Sequence, residues 1–213
     1  NLISYYPLDG NSTDSVGTYN GTDTSMSYSA AKLNNGGVFN GSSSVIKMST
    51  FTRPTNITLS AWIKKSNKTG DQSIIGGDDV ATGGSQRSFQ FRTQATTGKA
   101  EVIIFNAASN NDVVGTTDVC DNNWHHICAT YNGTATFLYV DGVQQATDTA
   151  LTGNIRAGTG ISLGTISDSY DTNWFNGTMD EVGIWSRALS ADEVSQLYNS
   201  NRALAYPLTA PTL

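Results

Sequence analysis

Charge is scarce in this chain. Of 213 residues only 14% are charged, and 12 Lys and Arg stand against 18 Asp and Glu, a net charge of −6. Without a basic patch or a polybasic stretch, neither nucleic acid nor an anionic lipid surface is expected as a partner. Long apolar runs are missing too, so no segment is expected to insert into a membrane. Only two cysteines occur, Cys120 and Cys128, and their spacing fits no zinc pattern. An oxidising compartment would allow them to form a disulfide, but a chain this long can build a core without one, and the question stays open. The first residue is Asn1 and no signal peptide is visible, so a processed product or an excised fragment is expected.

Ser, Thr, Asn and Gly fill the space that charge leaves, as expected for many strands joined by tight turns. Seven Asn-x-Ser/Thr sites occur, at Asn11, Asn20, Asn40, Asn56, Asn67, Asn132 and Asn176. In a eukaryotic secreted protein these would be glycosylation acceptors. Four of them (Asn20, Asn40, Asn132 and Asn176) precede Gly, which favours reading them as turns.

Period-two alternation recurs along the chain and predicts roughly a dozen short strands. Ile57, Leu59, Ala61 and Ile63 share one face, with Trp62 on the other, and Ile127, Ala129 and Tyr131 share a face with His125. Phe137–Val140 leads through Asp141-Gly142, a hairpin signal, into a strand starting at Val143. Further strands are expected at Leu2–Leu8, Val45–Met48, Ser88–Thr93, Ala100–Asn106, Ile161–Gly164 and Met179–Trp185. Gly76-Gly77 and Gly83-Gly84 are read as flanking a long mobile segment. One helix is expected from Ala191 to about Tyr198, with Ser190 and Glu193 as a capping box and Leu189 and Val194 as the hydrophobic staple. The fold class is therefore all-β, an antiparallel two-sheet sandwich with one short C-terminal helix. A single domain over 1–202 is expected, followed at 203–213 by an extension or linker.

Several phrases occur in an order that resembles the laminin G-like, concanavalin A-like jelly-roll superfamily. They are Tyr6-Pro-Leu-Asp-Gly10, Gly37-Val-Phe-Asn-Gly-Ser42, Ile57-Thr-Leu-Ser-Ala-Trp62 and Asn123-Trp-His-His-Ile127. Thr130-Tyr-Asn-Gly133, Leu138-Tyr-Val-Asp-Gly142, Phe175-Asn-Gly-Thr-Met-Asp-Glu-Val182 and Trp185-Ser-Arg-Ala-Leu-Ser190 complete the series. The resemblance covers about residues 2–202. It implies two curved sheets with one concave face, a carbohydrate-binding or adhesion role, and a structural calcium. The fold also hosts glycoside hydrolases and lyases, so it does not decide function.

Calcium takes six to eight hard oxygens. The resemblance places the first and last strands side by side, which makes Asp9 and Asp180 the leading ligands. Asp14 and Asn11, in the loop after Asp9, are further candidates, and carbonyls around Asn34–Gly37 are plausible completers. The alternative is that these side chains cap turns. For sugar recognition, aromatic faces beside planar polar groups are wanted. Tyr170, Asp171, Asn173 and Trp174 offer that mixture in one loop, while Arg87, Gln90 and Arg92 are expected to face the concave sheet.

Catalysis has little to work with. Glycoside hydrolysis needs two spaced carboxyl groups, and the three Glu are Glu101, expected to stand alone on its strand, Glu181, and the capping Glu193. The Glu-x-Asp-x-x-Glu pattern of the superfamily's hydrolases does not occur. His125 and His126 fall on opposite faces of one strand and cannot share a metal. No Gly-x-Ser-x-Gly elbow is present. The expected function is a non-catalytic carbohydrate-binding or adhesion module, extracellular or on a cell or virion surface, with a glycan or a surface protein as partner. Such a module is expected to be part of a larger chain or assembly. A structural or assembly module is the alternative, and a glycosidase or lyase the third reading.

Overall fold

A computed structural model describes residues 1–48, 51–78, 87–166 and 173–208. Fifteen strands lie in these residues and form two antiparallel sheets. They are β1 (Leu2–Tyr6), β2 (Thr22–Thr24), β3 (Ser27–Ala30), β4 (Asn35–Asn40), β5 (Val45–Met48), β6 (Ile57–Lys64), β7 (Gln72–Asp78) and β8 (Phe89–Thr93). There follow β9 (Lys99–Phe105), β10 (Asn110–Asp118), β11 (Trp124–Tyr131), β12 (Thr136–Val140), β13 (Val143–Asp148), β14 (Gly160–Leu163) and β15 (Asn176–Trp185), then helix α1 (Ala191–Tyr198). The first sheet runs β13-β12-β11-β6-β15-β4-β3, and β1 also pairs with β15; the second runs β10-β9-β8-β7-β14-β5-β2.

The predicted alternation builds the layer between the sheets. Ile57, Leu59, Ala61 and Ile63 of β6 pack with Ile127, Ala129 and Tyr131 of β11, against Phe89, Phe91, Val102 and Ile104 of the second sheet. The outer face of the first sheet is buried as well. Cys128, Tyr139 and Trp185 form a smaller apolar cluster with Leu189, Val194 and Leu197 from the helix region. Trp62 stacks on Tyr198, ring centroids 5.7 Å apart. Being covered on both faces, β6 is buried from Ile57 to Ile63.

The helix starts as predicted. Ser190 accepts from Glu193 N, and the Glu193 carboxylate accepts from Ser190 N at 2.8 Å. Gly76-Gly77 corrects the reading above: they lie within β7 rather than at the border of a loop. A Cβ on Gly76 would sit 2.6 Å from Ile166, and one on Gly77 2.7 Å from the Phe89 ring. Glycine is there for close approach, not for a turn. Asn40 and Asn132 do form turns, their side-chain oxygens accepting the amides of Ser42 and Thr134, both at 2.9 Å. Residues 203–208 lie back on the domain. Leu204 O accepts from the Tyr5 hydroxyl at 2.7 Å, Tyr206 packs 5.7 Å from the Tyr5 ring, and Leu208 joins the smaller cluster.

Candidate functional site

Two polar assemblies stand out, one at each sheet. The first is built on the β1–β15 pairing that brings the two ends of the chain together. A register shift between Asp180 and Gly183 interrupts β15 against β6, and Glu181 there takes φ +51. That is an uncommon conformation for a side chain without local hydrogen bonds to favour it, and such strain concentrates at functional sites. Asp180 is fully buried; its Oδ2 accepts from Leu33 N at 2.8 Å. Its Oδ1 is buried with no protein partner among the described residues. Asp9, exposed in the turn after β1, converges on the same bend: it accepts from Asn35 N at 2.9 Å and from Asn34 Nδ2 at 3.2 Å. Glu181, also buried, meets the Tyr5 hydroxyl.

Burial, with the nearby Glu181 and Asp9 charges, pushes the Asp180 carboxyl up to about 8 despite the Leu33 amide. Burial raises Glu181 to about 7, with Asp9 adding to it and the Tyr5 bond opposing. Desolvation and Glu181 likewise raise the Tyr5 phenol. The Tyr5 hydroxyl has one proton for two acceptors, Glu181 and Leu204 O. A carboxyl near 7 is protonated part of the time at neutral pH and then supplies the second.

Asp14 and Asn11 are engaged elsewhere. Asp14 Oδ1 accepts from Tyr5 N at 2.9 Å and Val16 N at 3.0 Å, and Oδ2 accepts from Tyr19 N at 3.1 Å. Asn11 Oδ1 accepts from Thr13 N at 2.9 Å. These are turn-forming bonds, the alternative raised above. Among the described residues no group of three or more His, Cys, Asp or Glu is placed to hold a metal.

The second assembly lies on the face of the second sheet turned away from the core. Phe89 and Phe91 enter the core, so Gln90 and Arg92 alternate outward. Gln90 Nε2 donates to Ser73 Oγ at 2.5 Å, and Arg87 Nη1 donates to Gln90 Oε1 at 3.4 Å. Arg92 pairs with Glu101 at 2.5 Å and with Asp71 at 3.0 Å, while Gln94 Nε2 donates to Glu101 Oε1 at 3.1 Å. Glu101 is the one carboxylate on β9, as expected, and β8–β9 pairing sets Arg92 of the neighbouring strand opposite it. The β14–β15 connection returns here, where Asn173 O accepts from Ser73 N at 2.9 Å. Trp174 follows, half-buried. Tyr170 and Asp171 lie outside the described residues. The structure thus brings Arg87, Gln90, Arg92 and Asn173 into one region and adds Asp71, Ser73, Gln94 and Glu101, which sequence reasoning missed. The cross-strand register was the missing signal.

The histidines split as their adjacency requires. His126 is buried on the outer face of the first sheet with Nε2 2.8 Å from Ser60 Oγ. His125 is held by Asp141 at 2.8 Å and Asp121 at 3.1 Å, and the Asp141 bond raises it. Both cysteines are buried free thiols.

Residues 14–195 match the family model described as the concanavalin A-like lectin/glucanases superfamily. The chain belongs to that superfamily. Among solved structures, this lectin/glucanase domain is similar to domain 4 of AbnA, a GH43 extracellular arabinanase from Geobacillus stearothermophilus, solved with arabinotriose. The two are 21% identical with a TM-score of 0.74, over 92% of this chain and 98% of that one. It is similar to the binding domain of Paraclostridial Mosquitocidal Protein 1, at 18% identity and TM-score 0.72, over 94% of this chain and 52% of that one. It also resembles the heptameric SAP-like pentraxin of Limulus polyphemus, at 19% identity and TM-score 0.59, over 72% of this chain and 75% of that one. At these identities the likeness is one of fold. No curated protein matches the sequence. No helix among the described residues is long and apolar enough to cross a membrane.

Proposed function

We propose that this superfamily domain is a non-catalytic carbohydrate-binding module of an extracellular or surface protein, stabilised by calcium. The observation that carries the binding role is the polar region at the second sheet: Arg87 just before β8 and Arg92 within it, both partly exposed, joined by the buried Gln90, with Asn173 bonded to Ser73 there and half-buried Trp174 next in sequence. The Arg87 guanidinium and the Trp174 ring would offer the donors and the apolar face that a sugar takes. The AbnA domain solved with arabinotriose supports the ligand class. The non-catalytic reading is supported by where the raised carboxyls sit. Asp180 is buried against Leu33, and Glu181 faces a cavity of about 10 Å³, too small for a glycosidic bond.

For calcium the fit rests on the orphaned Asp180 Oδ1 and on two carboxyls pushed up by burial. Asp9 and Asp180 would hold the ion, which would favour their charged forms and tie β15 to the turn after β1. Thermal unfolding with calcium and with EDTA tests it, alongside metal analysis of the untreated protein. Calcium raises the midpoint of the wild type and leaves Asp180→Asn unmoved. An untreated protein free of metal whose midpoint ignores calcium overturns the site.

Titration calorimetry with arabinotriose and a panel of neutral oligosaccharides tests the binding role. Trp174→Ala and Arg87→Ala each weaken binding about tenfold or more, the scale of one stacked ring or one polar contact, with circular dichroism unchanged. No binding by the wild type, or equal binding by both variants, sinks the site. The ion pairs that hold Arg92 favour a second reading, since they leave fewer donors for a ligand. In that reading the domain is an assembly module, and sedimentation finds a fixed oligomer with no glycan binding.

A further inference from the structure

Lys65 and Cys120 make an unusual contact. Both are buried, at 3% and 2% exposure, and Lys65 Nζ lies 3.3 Å from Cys120 Sγ. The ammonium donates also to Asn67 O and, at 3.2 Å, to Thr93 Oγ1. No carboxylate bonds it among the described residues, so a thiol, a hydroxyl and a carbonyl hold the amine. Burial lowers the Lys65 pKa, against the pull of Cys120, and so raises the share of free amine. The pair sits just beneath the surface: Ser66 and residues 121–123 are exposed, and Asn122 N donates to Lys65 O at 2.9 Å.

Cys120 cannot turn to the other cysteine. It belongs to the main core between the sheets, whereas Cys128 belongs to the cluster under helix α1 on the opposite face of the first sheet. An oxidised Cys120 therefore finds the Lys65 amine before any thiol.

We propose that Lys65 and Cys120 are a latent redox cross-link, closed by a peroxide into a sulfenamide. The peroxide oxidises the thiol to a sulfenic acid and is itself reduced, so that hydrogen peroxide leaves one water. The Nζ lone pair then attacks Sγ; the S–N bond forms, the S–O bond breaks, and the hydroxyl leaves with the nitrogen's proton as a second water. The net change is the loss of two hydrogens. A thiol reductant adds them back, cleaving S–N and regenerating amine and thiol. The bond joins residues 55 apart in sequence, β11's approach to the end of β6, and so restricts the unfolded chain.

The test uses the full chain carrying Cys128→Ser, which leaves Cys120 as its one thiol so that any change in mass reports on that residue. After hydrogen peroxide treatment, intact mass falls by about 2 Da, peptide mapping finds residues 65 and 120 joined, and dithiothreitol restores the starting mass. The melting midpoint rises on oxidation and falls back on reduction. Lys65→Arg and Cys120→Ser each abolish the mass change, while their circular dichroism reports whether they fold. Sulfinic or sulfonic Cys120 with Lys65 unmodified overturns the proposal, as does an unchanged mass in the folded Cys128→Ser protein.

Discussion

Buried ionisable side chains set how this domain responds to acid, and His126 is the clearest case. Its ring is 1% exposed, bonded to Ser60 through Nε2, and its Nδ1 has no protein partner among the described residues. Burial lowers its pKa to about 4, with Asp141 pulling the other way. A histidine depressed in the folded state binds its proton more readily when unfolded. The unfolded chain therefore gains protons first as pH falls, and stability is lost between about 6.5 and 4. The His126 share, up to about 3 kcal/mol, is read as the stability difference between wild type and His126→Gln in denaturant unfolding across that window, because Asp180 and Glu181, raised in the folded state, add stability as pH falls over the same range. Lowering the pH from about 6.5 to 4 costs the wild type more, or gains it less, than it does His126→Gln. A difference that does not change with pH assigns the acid response to other groups. At this scale the sequence was partly legible: adjacency put the two histidines on opposite faces, but which one was buried depended on where the helix came down.

Elements were most legible where their signals were local. The capping box of α1 lies within four residues, so its start could be read directly and was found at Ser190. Ser190→Ala removes the acceptor for Glu193 N and costs about 1 kcal/mol. For a domain of this size that lowers the melting midpoint by roughly 2–4 °C, measurable by calorimetry. Strands β6 and β11 were equally plain because Ile, Leu and Ala alternate along them. Strands β2, β3, β4, β7 and β10 were not read as strands, each for its own composition. Thr22–Thr24 and Ser27–Ala30 are mostly exposed edge segments with no apolar face to display. Gly36-Gly37 in β4 and Gly76-Gly77 in β7 present no side chain where neighbours press close. In β10, Val113 is buried amid polar residues.

At the scale of the whole molecule, residues 203–208, the described part of the 203–213 stretch expected as an extension or linker, lie against the domain. Tyr206, Pro207 and Leu208 join Asn1, Leu2, Trp185 and Arg187 around a cavity of about 370 Å³. Ending the chain at Arg202 removes the Leu204 acceptor from Tyr5, the Tyr206 ring and the Leu208 contact. The truncated domain keeps its strand circular dichroism but melts earlier and binds a hydrophobic dye. An unchanged midpoint shows that the segment is carried rather than needed. Composition, alternation and caps determined the fold class, the inner faces of the main strands and the helix, because each depends on neighbours in sequence. The partners of Asp9 and Asp180 in the turn at 33–35, the Arg92–Glu101 pairing and the Lys65–Cys120 contact were decided by tertiary structure alone. Each joins residues from separate strands or turns, and only strand register brings such atoms within bonding distance.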